Sequence, residues 1–116
     1  MNANAKEMTE EMRECIDNCM ECHRVCLETL SYCIEQGGHH TEAKHLRLMM
    51  DCVEICQTSA NFMVRGSTLH GFTCRACAEV CAQCAQDCAR MGDDATMQRC
   101  AEMCRRCAES CKLMAA

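Results

Sequence analysis

Apolar positions along this 116-residue chain recur at alternating steps of three and four, with polar residues between them. The stretch CRACAEVCAQCAQDC shows this most clearly, because steps of 3, 4, 3 and 4 separate its cysteines: Cys74, Cys77, Cys81, Cys84 and Cys88. Such alternation places residues on one stripe of an α-helix, the a/d seam along which the helices of a bundle meet. The pattern therefore predicts a helix whose inward stripe consists of thiols.

The same register is found in three other segments of the chain. The first and last segments contribute nine further cysteines: Cys15, Cys19, Cys22, Cys26 and Cys33, then Cys100, Cys104, Cys107 and Cys111. The second segment has only two cysteines, and its register continues through other residue types: Cys52 and Cys56, with His45, Met49, Ser59 and Met63. Polar residues between the cysteines, such as Asp87 and Arg105, suit the outer faces of the helices.

Glycines mark the boundaries between these segments, and the chain contains no proline. Each segment is rich in Ala, Glu, Met, Gln, Lys and Arg, which favour helix. We predict helices over residues 4–36, 41–65, 72–91 and 94–114, with Asp93, Asp94 and Thr96 as candidate N-caps of the last one. Short connections favour antiparallel neighbours, so the sequence predicts a single all-α domain over 1–116, an antiparallel four-helix bundle with a cysteine-lined core.

The composition requires sulfur in the interior. Leu, Ile, Val and Phe together number only 15, roughly 13% of the chain and below the ~20% that separates globular from disordered composition, whereas the chain has 16 cysteines and 11 methionines. Neutral Cys and Met can act as small or adaptable apolar residues. The net charge of −5 and the scattered basic residues argue against nucleic-acid binding.

The start of the chain, MNANAKEMTEEMREC, has no apolar stretch that resembles a signal peptide, and no run is long enough to span a bilayer. We therefore expect a cytoplasmic protein with no membrane partner. In a compartment that keeps thiols reduced, so many cysteines favour metal ligation over disulfides.

Several roles for the thiols are open. They could be apolar core residues alone. Disulfides within a helix are disfavoured, because Cβ atoms at i and i+4 lie about 5–6 Å apart and a disulfide needs about 3.5–4.5 Å. Zinc or iron–sulfur sites use four cysteines, usually gathered by turns, but the CxxC pairs here lie inside helices. Divalent zinc would also leave uncompensated thiolate charge in a dry core.

Cu(I) suits the pattern better, because this soft monovalent ion is selected by thiolate and thioether ligands. One Cu(I) per thiolate makes the core electrically neutral. The i, i+4 cysteines can flank one ion in a near-linear arrangement without bending the helix. These predicted pairs are Cys15–Cys19, Cys22–Cys26, Cys52–Cys56, Cys77–Cys81, Cys84–Cys88, Cys100–Cys104 and Cys107–Cys111.

Over essentially its whole length the chain resembles the copper storage proteins, four-helix bundles filled with cysteines that hold many Cu(I) ions. The likeness rests on CxxxC pairs in all four helices, on CAEMCRRCAESC and on the absence of a signal peptide, which is similar to the cytosolic branch. The resemblance implies Cu(I) storage, often in a homotetramer, with metal entering at one end through His and Met. It implies a ligand role for all sixteen cysteines. The second helix has only two cysteines, which leaves open how many ions this side of the bundle can bind.

The two ends of such a bundle differ in chemistry. One end carries the residues that we predict as ligands or entrance residues beside Cys33: His45, Met49, Met91 and Met97, with His39 and His40 in the adjoining loop. The other end is predicted to be a hydrophobic plug: Met8, Met12, Phe62, Met63, Leu69, His70, Phe72, Leu113 and Met114.

The predicted function is non-enzymatic storage of many Cu(I) ions, with exchange to a copper chaperone or acceptor protein. The alternatives are a zinc or iron–sulfur protein and a thiol-redox or metal-sensing protein. A redox enzyme would need an exposed cysteine of low pKa at a helix N-terminus, and only Cys74, beside Arg75, approaches that description.

Overall fold

The computed structural model describes residues 8–116, which form four α-helices and one short 3-10 helix. In chain order these are α1 (Glu10–Gln36), the 3-10 turn (Gly38–Thr41), α2 (Ala43–Val64), α3 (His70–Ala89) and α4 (Ala95–Met114). Each helix packs against two others, α1 on α2 and α4, and α3 on α2 and α4. The resulting rod measures 54 × 20 × 20 Å, and the predicted antiparallel four-helix bundle is confirmed.

The helix ends differ from the predicted ones where polar side chains and glycines intervene. We predicted that the first helix begins at residue 4. Residues 4–7 lie outside the described part, and α1 begins only at Glu10, because Thr9 Oγ1 accepts a hydrogen bond from the Met12 backbone N–H (3.1 Å) and caps the helix. Gly37, with φ 70°, ends α1, and a 3-10 turn then delays α2 to Ala43.

The last two helices are shifted by only one or two residues. The third helix was predicted over 72–91 and spans His70–Ala89. The last helix was predicted to begin at 94 and begins at Ala95, because Asp94 is its N-cap: the side-chain oxygen Oδ1 accepts from the Met97 backbone N–H at 3.1 Å. Of the candidate caps, Asp94 is therefore the one that the structure uses.

The core contains the predicted register, together with some neighbouring residues such as Val25, Ala85 and Ala101. All sixteen cysteines have an exposed fraction of 0%, and so do Met49, Met63, Met97, His45 and Ser59. Every one of these residues lies in the 3-4 register read from the sequence. The bundle therefore encloses sulfur along its whole axis. On α2, Met, His and Ser take the inward positions that cysteines take on the other helices.

Candidate metal centre

The sixteen cysteine Sγ atoms, here called the thiol column, run along the bundle axis. All are free thiols, and neighbouring Sγ atoms approach to between 3.4 Å, for Cys19 and Cys111, and 3.9 Å, for Cys22 and Cys52. Chains of such contacts extend from Cys15 near one end to Cys88 near the other. A soft ion placed in the column would therefore meet several sulfurs at once.

The column resolves into compact groups that share members. In each group the Sγ atoms all lie within 4.8 Å of one another: Cys15, Cys74 and Cys111; Cys19, Cys77, Cys107 and Cys111; Cys56, Cys77, Cys81 and Cys107; Cys22, Cys52, Cys56 and Cys81; Cys22, Cys26, Cys52 and Cys104. A closed zinc site uses four thiolates of its own. Here, by contrast, many of the sulfurs belong to two groups at once. Shared sulfurs suit several ions bridged by thiolates.

Most of the short contacts join different helices. Two of the predicted i, i+4 pairs bring their sulfurs close, with Sγ–Sγ distances of 3.8 Å for Cys22–Cys26 and 3.7 Å for Cys77–Cys81. Contacts between helices are equally short, as for Cys52 on α2 and Cys81 on α3 at 3.6 Å. The pairs expected from the sequence are therefore parts of a larger array that spans all four helices.

In the described part of the chain, no Lys or Arg side chain is buried where it could compensate charge inside the column. Among residues 8–116, the buried polar side chains are Thr29, His45, Ser59, Asp87 and Ser110. A column made entirely of thiolates would repel itself in this dry interior, so the thiols cannot all lose their protons before a metal cation arrives. A monovalent ion that replaces each thiol proton keeps the interior neutral.

Burial and hydrogen bonding move the thiol pKa values in both directions. Burial, with the neighbouring anionic groups, raises the pKa of Cys33 to about 11. Within the column, the hydrogen bond with Cys104 lowers the pKa of Cys22, whereas the hydrogen bond with Cys107 raises that of Cys56. Some thiols thus release a proton more readily than an isolated cysteine, and their neighbours retain it.

A group of different donors, here called the entrance cluster, lies at the end where α1 meets α2: Cys33, His45, Asp87 and Met97. His45 Nε2 is 3.3 Å from Cys33 Sγ, and Met97 Sδ is 3.7 Å from the same sulfur. On its other side, His45 Nδ1 contacts Asp87 Oδ2 at 2.5 Å. A carboxylate that holds one imidazole nitrogen fixes the ring and directs the other nitrogen towards a metal ligand position.

Asp87 is the member of this cluster that the sequence did not predict. We placed it on an outer face, but only 9% of its side chain is exposed, and Arg90 Nε donates to its Oδ1 at 2.7 Å. Asp87 lies next to Cys88 and one step outside the thiol register, which explains the wrong prediction. The ion pair with Arg90 compensates the carboxylate at the edge of the core.

The other predicted entrance residues are placed as follows. Met49 lies deeper than the cluster, with its Sδ 3.5 Å from both Cys84 Sγ and Cys88 Sγ. Met91 is partly buried and packs on the core. His40 Nε2 contacts Asp94 Oδ2 at 2.8 Å, and it therefore anchors the 3-10 turn to the start of α4.

The opposite end is less closed than the predicted plug. Met63 is buried, but Leu69, Phe72 and Leu113 are 55%, 62% and 72% exposed, so the plug prediction is wrong for these three. A cavity of about 240 Å³ opens beside Met63, lined by Met8, Met12, Met63, Gly66, Ser67, Thr68 and His70. Of the three exposed apolar residues, only Leu69 lies in the connection after α2, whereas Phe72 and Leu113 lie on the outer faces of α3 and α4.

Cys74 does not meet the requirements of a redox cysteine. Its exposed fraction is 0%, and its sulfur lies 3.3 Å from Ser59 Oγ and 3.7 Å from Met63 Sδ. The pKa of this thiol is raised, whereas a reactive cysteine needs a lowered pKa and access to its substrate. Cys74 therefore belongs to the column, where it groups with Cys15 and Cys111.

The comparisons with known proteins agree with this chemistry. The family model described as copper storage protein matches residues 8–116. A structure from Nitrosospira multiformis is 48% identical, covers 91% of this chain and 95% of its own, and has a TM-score of 0.85. The Cu(I)-bound copper storage protein BsCsp3 is 31% identical over 92% of this chain and 100% of its own, with a TM-score of 0.84.

A third structure is described as a cytosolic copper storage protein from Streptomyces lividans, with five coppers. It is 30% identical, covers 90% of this chain and 92% of its own, and has a TM-score of 0.78. No curated protein matches the chain at comparable significance. Within residues 8–116, none of the helices has the length and apolar character needed to cross a membrane.

Proposed function

Since this chain belongs to the copper storage protein family, we propose that it stores many Cu(I) ions on the thiolates of its core. The observation that carries the proposal is the continuous column of sixteen buried free thiols, with no Lys or Arg buried among residues 8–116. Soft monovalent Cu(I) can replace the thiol protons without leaving net charge. All sixteen cysteines are proposed as ligands, in one storage domain over 1–116 that carries out no catalysis.

Anaerobic titration of the reduced protein with Cu(I), followed by native mass spectrometry, tests this function. We expect saturation well above four ions per chain, because the overlapping groups share sulfurs along the whole axis. The same titration with Zn²⁺ is the control and should saturate at fewer ions, since each divalent ion leaves uncompensated thiolates. Saturation with Cu(I) at about four ions or fewer would favour the zinc or cluster alternatives.

The entrance cluster is proposed as the route by which Cu(I) reaches the column. The Met97 thioether and the His45 imidazole both contact Cys33, so an arriving ion can exchange a neutral ligand for a thiolate there. Met49 then bridges to Cys84 and Cys88 further inside. Met91 is proposed as a further thioether at this end because it packs on the core and directly follows the end of α3.

Replacing these side chains should slow loading and leave capacity nearly unchanged. In H45Q/M91L/M97L we expect Cu(I) uptake to be several-fold slower in stopped-flow measurements, because the substituted side chains keep much of the volume but lose soft donors. The matched control is M8L/M12L/M63L, which removes the methionines around the cavity at the opposite end. Unchanged uptake in the first variant, with slow uptake in the second, would place the entrance at that cavity.

The cellular setting completes the proposal. We propose a cytoplasmic protein, which the description of the S. lividans relative as cytosolic supports, with a copper chaperone or acceptor protein as exchange partner. We also propose self-association into a homotetramer, as the resemblance to the family implies.

A further inference from the structure

Side chains with soft donor atoms continue the inward register beyond the last cysteines, at the end of the bundle where α1 begins and α2 ends. From Cys15 the steps of three and four lead back to Met12 and Met8. On α3 a step of four leads back from Cys74 to His70. At this end the inward stripes of both helices therefore finish in thioethers and an imidazole instead of thiols.

These side chains share one cavity. The space of about 240 Å³ beside the buried Met63 has four lining residues with a sulfur or nitrogen donor: Met8, Met12, Met63 and His70. A water molecule takes up about 30 Å³ in the liquid. The cavity therefore has room for one ion and for a ligand that arrives to remove it.

The ring of His70 is held in an orientation that suits metal binding. Its Nδ1 lies 2.9 Å from the Ser67 backbone oxygen. A carbonyl oxygen can only accept a hydrogen bond, so in the neutral ring Nδ1 carries the proton and Nε2 carries the lone pair. Metal-binding histidines are commonly fixed in this way, by a hydrogen bond from the other ring nitrogen to a backbone carbonyl.

Met63 connects the cavity with the thiol column. Its Sδ accepts a hydrogen bond from the Cys74 thiol, with 3.7 Å between the two sulfurs. Cys74 in turn groups with Cys15 and Cys111. A single sulfur–sulfur contact therefore separates the cavity from the nearest group of thiols.

We propose that this cavity binds one Cu(I) ion through the thioethers of Met8, Met12 and Met63 and through Nε2 of His70, as an exchange site at the end of the column. Thioethers select Cu(I), and imidazole also binds it. The inference rests on the proposed storage of Cu(I) and adds a site outside the sixteen thiols. It is not a step in loading through the entrance cluster.

The neutral ligands determine what this site does. Four uncharged donors leave the ion with its positive charge, so it is held less tightly than an ion among thiolates. It is therefore the ion that a competing soft ligand, such as a thiol of an acceptor protein, removes first. The ions inside the column stay in place while this one is exchanged.

A positive charge is tolerated at this end, in contrast to the interior of the column. The cavity opens to solvent beside Met63, and water screens the charge of an ion there. The first two turns of α1 are also net acidic, with Glu10, Glu11, Glu14 and Asp17 against Arg13. A surface with net negative charge raises the local concentration of cations.

Nuclear magnetic resonance of isotope-labelled methionine methyl groups tests the site in the full-length reduced protein. The protein is titrated anaerobically with Cu(I) to saturation and then with a Cu(I) chelator. We expect the Met8 and Met12 signals to shift late in the titration, because thiolates take up the earlier ions, and to return with the first equivalent of chelator. Met20 and Met50, 51% and 52% exposed, are the internal controls and should not shift.

Two variants test the ligands, with a matched control. M8L/M12L leaves the buried Met63 in place and should bind one Cu(I) ion fewer than the wild type by native mass spectrometry. M20L/M50L, which removes two exposed thioethers, should bind the wild-type number. H70Q should weaken binding of the last ion by at least about 10-fold, since even residues that only support a metal ligand contribute about 10- to 100-fold in affinity.

The results separate this site from the storage function. Met8 and Met12 signals that do not shift at saturation overturn the site, and so does a wild-type number of ions in M8L/M12L. Signals that return only after the column has been emptied overturn the exchange role. A wild type that saturates at about four ions or fewer contradicts storage in the column, whereas the methyl signals still decide whether the cavity binds an ion.

Discussion

Lowering the pH from 8 to 6 should weaken Cu(I) binding by roughly 100- to 10,000-fold, because each bound ion displaces about one or two thiol protons. A thiol must lose its proton to become a metal ligand. Burial raises the pKa of Cys33 to about 11, so this thiol is neutral at both pH values. Acid increases the competition from protons at such a site, and affinity therefore falls as the pH falls.

Hydrogen bonds inside the column do not remove this competition. The pKa of Cys22 is lowered because Cys104 stabilises its thiolate through a hydrogen bond, while the pKa of Cys104 itself is raised. Ionising one thiol therefore makes its neighbour hold its proton more firmly. Filling the column with metal must remove the protons from both kinds of thiol, so loading releases protons overall.

Two measurements check this prediction. Competition with a Cu(I) chelator at several pH values gives the affinity, and the chelator alone, titrated at each pH, supplies the control for its own protonation. Addition of Cu(I) in weakly buffered solution with an indicator dye gives the number of protons released per ion. An affinity that is independent of pH, with no proton release, would mean that the thiols are already ionised in the metal-free protein.

The inward positions were predictable from the sequence, because helical periodicity alone determines them. Cys74 and Cys77 are three apart, Cys77 and Cys81 are four apart, and a helix brings all three onto one stripe. The same periodicity placed His45 and Met49 in the core, where the structure has them. These predictions needed no knowledge of neighbouring helices.

Contacts between helices could not be predicted in the same way. They depend on how each helix is rotated about its own axis and how far it is shifted along that axis relative to its neighbours. The proximity of Cys52 and Cys81 requires the register of α2 against α3. Asp87 lies outside the thiol stripe, and only the approach of His45 from α2 draws it into the core. Leu69, in the connection between α2 and α3, and Phe72, in the first turn of α3, are apolar and yet more than half exposed, which their residue type alone did not indicate.

Removing Cys52 and Cys56 should cost more than two Cu(I) ions per chain. Of the four groups that contain four thiols, three include Cys52, Cys56 or both. These two residues are also the only cysteines on α2. Cys52 lies within 3.9 Å of Cys22 and Cys104, and Cys56 within 3.5 Å of Cys81. The C52A/C56A variant therefore interrupts the column in its middle, where each sulfur would serve more than one ion.

The matched control removes two cysteines from the ends of the column. In C33A/C74A, Cys33 belongs to none of the groups of four, and Cys74 belongs only to the group of three. We expect this variant to lose about two ions or fewer, since each end sulfur has few sulfur neighbours to share an ion with.

Anaerobic titration and native mass spectrometry compare the two variants, with circular dichroism of the apo-proteins to show that both remain helical. Equal losses would mean that each cysteine binds its copper independently, and that capacity follows the number of thiols. A larger loss from the middle would mean that capacity depends on the continuity of the column, because an ion there is held by sulfurs from several helices.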